Sequence, residues 1–92
     1  MKLSFAMRVS VPPDVLVSEI GGESVFLNLS GGSYFGLDEV GTRMWDALTH
    51  TDSLQAAYEI LLGECDVDPE PLKNDLQDLV ERLVKHGLLQ IT

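Results

Sequence analysis

The chain has 92 residues, of which 45% are hydrophobic and 23% charged, and its formal net charge is −9. This length suits one domain with a modest core, and no apolar run approaches the ~18 residues that a membrane span requires. The opening residues lack the pattern of a secretory signal, so we expect a soluble, cytoplasmic protein with no membrane partner.

The charged and metal-binding residue types exclude several functions. Six basic residues stand against fifteen acidic ones, so no phosphate-binding surface is expected and nucleic acid is a poor partner. The single cysteine, Cys65, and the histidines His50 and His86 have no recognised spacing for a metal site. Neither histidine is placed as in a nucleophile and base pair. We therefore expect no enzyme, no cofactor and no metal.

The first segment, from Leu3 to Val11, alternates apolar with polar or small residues, which predicts a strand that Pro12-Pro13 ends. We favour a further strand of the domain's own sheet, so that residues 1–13 form an extra strand or arm. Two alternatives remain, because the segment could pair with the sheet edge as an autoinhibitory strand or exchange in a homodimer.

Two β-branched and aromatic runs follow, from Val15 to Ile20 and from Glu23 to Leu29, separated by Gly21-Gly22. Two glycines readily reach the positive φ angles of a tight turn, so the pattern predicts a β-hairpin. The residues of the second strand that we expect to face the core are Val25, Leu27 and Leu29. Those expected on the other face are Ser24, Phe26 and Asn28.

A second turn, from Ser30 to Ser33, leads into a short strand at Tyr34-Phe35, which we expect at the sheet edge. Asp38 is a suitable N-cap for a first helix from Glu39 to about Leu48. Within this helix Trp45 is predicted to anchor the core, and Gly41 to permit a close approach.

Two more helices are predicted. Asp52 or Ser53 caps the second, with Asp52 and Gln55 spaced as in a capping box, and residues 63–67 are expected to form a linking loop. Asp68 followed by Pro69 marks the start of the third helix, which Gly87 is placed to end. A final short strand is predicted at residues 88–91.

This element order predicts an α+β, winged-helix-like fold: a three-stranded antiparallel sheet followed by a three-helix bundle, in one domain over residues 1–92. The usual partner of a winged helix is DNA, which its recognition helix contacts. Here the third helix carries more acidic than basic residues, so phosphate would repel it. Its basic residues are Lys73, Arg82 and Lys85, and its acidic residues are Glu70, Asp75, Asp78 and Glu81.

The stretch from Tyr34 to Trp45 carries the spacing Tyr-Phe-Gly-Leu-Asp-x-x-Gly-x-x-Met-Trp. With Asn28-Leu29 before it and the third helix ending Gly87-Leu88-Leu89 after it, this run closely resembles PqqD-like proteins. These are small peptide chaperones, also called RiPP recognition elements, that include the stand-alone proteins of lasso-peptide biosynthesis. The resemblance covers about Val15 to Ile91 and leaves out the segment from Leu3 to Val11.

The resemblance implies a non-catalytic domain that binds the leader of a ribosomally made precursor peptide and presents it to a modifying enzyme or leader peptidase. In that family the leader adds a strand to the sheet edge beside the third helix. Carried onto this chain, the edge is Ser33, Tyr34 and Phe35, and the groove wall is Asp75, Leu79, Arg82 and Leu83. Since Tyr34 and Phe35 alternate, only one of their side chains is expected to touch the peptide.

Two functions from other classes remain as alternatives. One is a winged-helix regulator that binds nucleic acid, against which the acidic charge argues. The other is a small accessory subunit that completes an enzyme. Titration with a leader peptide and with duplex DNA separates peptide binding from the first alternative.

Overall fold

A computed structural model describes residues 5–64 and 68–91 of the chain. The elements in chain order are β1 (Val9–Ser10), β2 (Val15–Ile20), β3 (Glu23–Asn28), β4 (Ser33–Leu37), α1 (Glu39–Thr49), α2 (Leu54–Glu64), α3 (Pro69–Lys85) and β5 (Gln90–Ile91). The predicted architecture is confirmed, because a three-stranded antiparallel sheet in the order β2-β3-β4 precedes three helices. No helix among the described residues is long and apolar enough to cross a membrane.

The hairpin between β2 and β3 turns on Gly21 and Gly22, whose φ angles are 61° and 84°. Both angles lie in the left-handed region that glycine adopts without a steric penalty. The turn sets the register, in which Ile20 lies opposite Glu23 and Leu16 opposite Leu27. Strand β4 continues the meander, with Phe35 opposite Phe26.

The inner face of β3 is the reverse of the predicted one. Ser24 and Phe26 are buried, at 1% and 0% exposure, whereas Val25 and Leu27 are 43% and 38% exposed. The reason is the partner of Phe26, whose ring meets Trp45 of α1 edge-on at 4.5 Å between centroids. An aromatic ring buries more area than Val or Leu and gains from this edge-to-face geometry, so Phe26 takes the core side. The predicted role of Trp45 as a core anchor is confirmed.

A buried hydroxyl pair lies beneath the same sheet. Ser24 Oγ and Thr42 Oγ1 are 2.8 Å apart and hydrogen-bonded, and both residues are buried. Their pairing explains how a serine is accepted at a core position, because each hydroxyl satisfies the other. The bond also ties β3 to α1.

Removing one hydroxyl of this pair is expected to lower the stability of the fold by more than the small change in side-chain size suggests. Ser24→Ala leaves the buried Thr42 hydroxyl unpaired, so the free energy of unfolding should fall by about 1–3 kcal/mol. Adding Thr42→Val to this variant removes the unpaired hydroxyl. The second substitution should therefore lower the free energy of unfolding by less than the first one does. Urea denaturation followed by circular dichroism measures both variants. Strictly additive losses would mean that the two hydroxyls are not coupled.

Helix α1 begins as predicted, with Asp38 as N-cap and its Oδ1 accepting a hydrogen bond of 2.8 Å from the Gly41 N–H. The expected close approach at Gly41 is also present. A Cβ atom built there would lie 3.1 Å from Cδ2 and 3.2 Å from Cβ of Leu37, so a larger residue would collide with the end of β4. Gly41 therefore lets α1 pack directly against the strand that precedes it.

Helix α2 starts after Ser53, whose Oγ accepts a hydrogen bond of 3.1 Å from the Ala56 N–H. Ser53, rather than Asp52 with Gln55, therefore makes the side-chain contact at this end. The helix reaches Glu64, so Gly63 is helical and not part of the predicted loop. Cys65, expected to have no role, lies outside the described residues, as do residues 66 and 67 of that loop.

Helix α3 begins at the predicted proline and ends just before the predicted glycine. Pro69 is its first residue, and Gly87, with φ 73°, lies just beyond its C-cap His86. Asp68 is the N-cap residue by position but makes no side-chain capping hydrogen bond. The inner face of the helix is fully or nearly fully buried, and its residues are Leu72, Leu76, Leu79, Val80 and Leu83.

The N-terminal segment differs from the favoured prediction in its partner. Its only strand among the described residues, Val9–Ser10, pairs antiparallel with Gln90–Ile91 and not with the three-stranded sheet. Before it, the carbonyl groups of Phe5 and Met7 accept hydrogen bonds from the backbone N–H groups of Gln55 and Leu54. The segment from residue 5 to 10 is thus held by the start of α2 and by the C-terminal strand of its own chain.

Candidate functional site

One edge of the three-stranded sheet is open. Strand β4 pairs with β3 on one side, and within the described residues no strand pairs with its other side. Ile20 and Glu23 flank the two-residue turn of the hairpin, so they form a hydrogen-bonded pair. From this pair onward, hydrogen-bonded and non-hydrogen-bonded residue pairs alternate along the strands. In this register Phe35 bonds to β3, so the backbone N–H and C=O groups of Tyr34 and Gly36 point away from the sheet. They form an unpaired edge of the kind that an added strand can use.

The two aromatic side chains of this edge point to opposite faces of the sheet. Tyr34 is 79% exposed and lies on the face directed away from the helices. Phe35 is half-buried on the inner face, where its ring centroid lies 5.5 Å from Cζ of Arg82 and 5.2 Å from the ring of His86. Phe35 therefore links the edge strand to α3, with a cation positioned over its ring.

A groove of about 310 Å³ lies between the end of β4, the first turns of α1 and the middle of α3. We call it the edge groove. Its walls include Leu37, Val40 and Met44 on one side and Asp75, Leu79 and Arg82 on the other. The groove lies against the same end of β4 at which Gly36 presents its outward backbone groups, so a strand added to β4 would run along it.

A second cavity of about 290 Å³, the helix pocket, adjoins the edge groove. It lies between α1, α2 and the first turns of α3. Its lining is mainly apolar and includes Val40, Met44, Leu61, Pro71 and Leu72. Val40, Met44 and Asp75 line both cavities, which makes the two continuous.

The charges around the two cavities are mainly negative. Arg43 forms an ion pair with Glu64. Nη1 of Arg82 lies 3.6 Å from Oδ2 of Asp78, one turn earlier in α3. Asp75 has no ion pair within the described part of the chain. No cluster of three His, Cys, Asp or Glu side chains suited to a metal ion occurs among residues 5–64 and 68–91.

The structure brings together most of the predicted site. Ser33, Tyr34 and Phe35 lie on the open edge strand, and Asp75, Leu79 and Arg82 line the edge groove. Leu83 departs from its predicted place in the groove wall, because it is 0% exposed and therefore lies in the core below that wall. The opposite wall, formed by Leu37, Val40 and Met44, had no predicted role in the site. The sequence shows only that Val40 and Met44 are apolar residues four apart in α1, and the 64% exposure of Val40 is visible in the structure alone.

Comparison with known proteins agrees with this geometry. The family model described as coenzyme PQQ synthesis protein D (PqqD) matches residues 23–89, which include the whole of the edge strand and all three helices. The chain belongs to the PqqD family. The resemblance noted in the sequence is therefore confirmed. The PqqD match begins after β2, so the N-terminal segment lies outside it.

Two solved structures share the PqqD-like fold of this chain. The structure of TbiB1 in complex with the TbiA(β) leader peptide has a TM-score of 0.80 and 32% sequence identity, and the alignment covers 87% of this chain and 93% of that one. Lasso peptide synthetase B1 complexed with the leader peptide also has a TM-score of 0.80, at 20% identity, covering 90% and 98%. A search of curated proteins gave no match.

Proposed function

We propose that this protein binds the leader of a ribosomally synthesised precursor peptide by adding the leader as a strand to β4, and presents it to a modifying enzyme or leader peptidase. The observation that supports this most directly is the open edge at Tyr34 and Gly36 beside the edge groove. TbiB1, the 32% identical relative, was solved with a leader peptide bound. The expected partners are therefore a precursor peptide and the enzyme that acts on it.

The geometry suits recognition of an extended peptide. Hydrogen bonds from the main chain of β4 supply affinity that does not depend on the peptide's side chains. Alternate side chains of an added strand point toward opposite faces, so every second residue of the peptide would meet the edge groove. Leu37, Leu79 and Met44 offer apolar contact there, and Arg82, whose exposed ion pair with Asp78 is weak, can exchange that partner for an acidic residue of the peptide.

The role proposed is binding without catalysis, in the cytoplasm where a precursor is synthesised. The chain would act by holding the leader in a defined position, which raises the effective concentration of the attached core peptide at the partner enzyme. The peptide-binding residues proposed are Ser33, Tyr34, Phe35, Asp75, Leu79 and Arg82. For Tyr34 the contact is expected through the main chain, whereas the main chain of Ser33 pairs with Asn28 of β3 and leaves its exposed side chain for contact.

Binding to peptides and to DNA tests this function. Immobilised protein is exposed to a displayed library of leader segments from ribosomally made precursors, and the retained peptides are then titrated in solution beside duplex DNA. We expect saturable binding of at least one leader and none of DNA, because α3 carries four acidic residues against three basic ones. Retention of no leader together with binding of DNA would contradict the proposal and favour a nucleic-acid regulator.

A further inference from the structure

The helix pocket is not needed to bind a strand at β4, yet it is well formed. Its floor consists of Met44, Leu61 and Leu72, which are buried and apolar. A cavity of about 290 Å³ lies at the small end of the range for ligand sites, which suits one large side chain better than a separate small molecule. None of the described residues covers its mouth, where Val40 is 64% exposed.

The position of the pocket indicates what occupies it. The pocket is continuous with the edge groove through Val40, Met44 and Asp75. A peptide paired with Tyr34 and Gly36 that continues past the end of β4 crosses this shared wall. Because an extended chain advances ~3.3 Å per residue, only a few more residues bring a side chain over the pocket. The occupant is therefore a further part of the same peptide.

The charges at the shared wall favour a basic residue of the peptide at this point. The two arginines that line the cavities already have carboxylate partners, Glu64 for Arg43 and Asp78 for Arg82. Asp75 lies where the two cavities meet and has no ion pair among the described residues. A basic residue of the peptide at this point would find an available carboxylate, whereas an acidic one would be repelled.

We infer that the helix pocket is a second recognition subsite, which takes a large apolar side chain of the leader outside its strand-paired segment. Asp75 then favours a lysine or arginine between that apolar residue and the strand. The inference rests on the proposed function and adds to it a composite motif: a strand, a basic residue and an apolar anchor. Such a motif would distinguish the correct leader from other peptides that can merely form a strand.

Filling the pocket tests the apolar part of the inference. The probes are the leader segments that the wild-type protein retains from the displayed library. Alanine replacement along each peptide should reveal one apolar residue, outside the strand-paired segment, whose loss weakens binding about ten- to hundred-fold. Pro71→Trp places an indole at the pocket wall and should weaken binding of the unaltered peptide to a similar degree. In this variant the alanine replacement in the peptide should have almost no further effect on affinity.

Glu70→Trp is the matched control, since Glu70 is exposed and adjacent but does not line the pocket. Circular dichroism and thermal unfolding verify that both variants are folded. If Pro71→Trp and Glu70→Trp bind alike, or if no residue outside the paired segment matters, the subsite is wrong. The proposed function would still stand in that case, provided that a proline at Tyr34 removes binding. Full binding by the Tyr34 variant would instead contradict the proposed function itself.

A pair of isosteric variants tests the charge preference. Asp75→Asn and Glu70→Gln each remove one negative charge from an exposed position of α3, but only Asp75 lines the two cavities. We expect Asp75→Asn to weaken a leader with a basic residue at the predicted place by up to about five-fold, an effect that added salt reduces. Replacing that basic residue with Gln should abolish the difference. An equal or larger effect of Glu70→Gln would overturn the role of Asp75.

Discussion

A Tyr34→Pro variant is expected to lose leader binding while keeping its fold. The register of the sheet directs the Tyr34 N–H away from β3, toward the position of an added strand. Proline has no N–H and its ring occupies that space, so a peptide carbonyl would be left unpaired. The loss should be about 1–3 kcal/mol, or about ten- to hundred-fold in the dissociation constant. Fluorescence anisotropy with a labelled leader measures it.

Two controls separate the causes of this effect. Tyr34→Ala removes the exposed ring but keeps the N–H, so binding through the main chain predicts little change. Glu19→Pro places the same residue at an outward position of β2, on the opposite edge of the sheet, where no peptide is expected. Proline is tolerated at edge positions, so circular dichroism should show that both proline variants are folded. Wild-type affinity for Tyr34→Pro would exclude strand addition at β4.

Trp45→Ala should have the largest effect on stability of any substitution considered. The indole is 5% exposed and meets Phe26 edge-on, joining α1 to the inner face of the sheet. Truncating a buried aromatic residue removes its burial and leaves a cavity, so the free energy of unfolding should fall by about 3–5 kcal/mol. This is a large share of the stability of a domain of this size.

Because Trp45 is the sole tryptophan, urea denaturation of this variant is followed by circular dichroism rather than by fluorescence. Ile60→Ala serves as the control, since Ile60 is an apolar residue on the exposed side of α2 and should change stability by less than about 1 kcal/mol. A similar loss in both variants would mean that Trp45 is not the anchor. Leader binding by Trp45→Ala, where enough folded protein remains, should be retained, because the side chain lies away from both cavities.

Sequence patterns predicted elements better than they predicted faces. In β3 the period of two correctly separated Ser24 and Phe26 from Val25 and Leu27, because alternation is a property of the strand itself. Both sets contain apolar residues, however, so alternation alone could not identify the buried one. The choice depends on Trp45 and Thr42, which come from α1 and meet Phe26 and Ser24 only after the chain has folded.

The candidate site shows the same division. The motif from Tyr34 to Trp45 identified the family, and the resemblance that it carries implied the edge strand and a groove wall at Asp75, Leu79 and Arg82. Leu83 was implied in the same wall but is buried, because the packing of α3 on its neighbours leaves only part of the apolar stripe open. Val40 and Met44 joined the site because α1 and α3 approach each other across the edge groove.

The sequence by itself determined the order of strands and helices, the turn glycines, the N-cap at Asp38, the start of α3 at Pro69, and membership of the PqqD family. These depend on local conformational preferences and on a contiguous motif. Only the tertiary structure decided which face of β3 is buried, that Val9–Ser10 pairs with Gln90–Ile91, and that the edge groove continues into the helix pocket. Each of these depends on contacts between residues far apart in the chain, for which a single sequence carries no local signal.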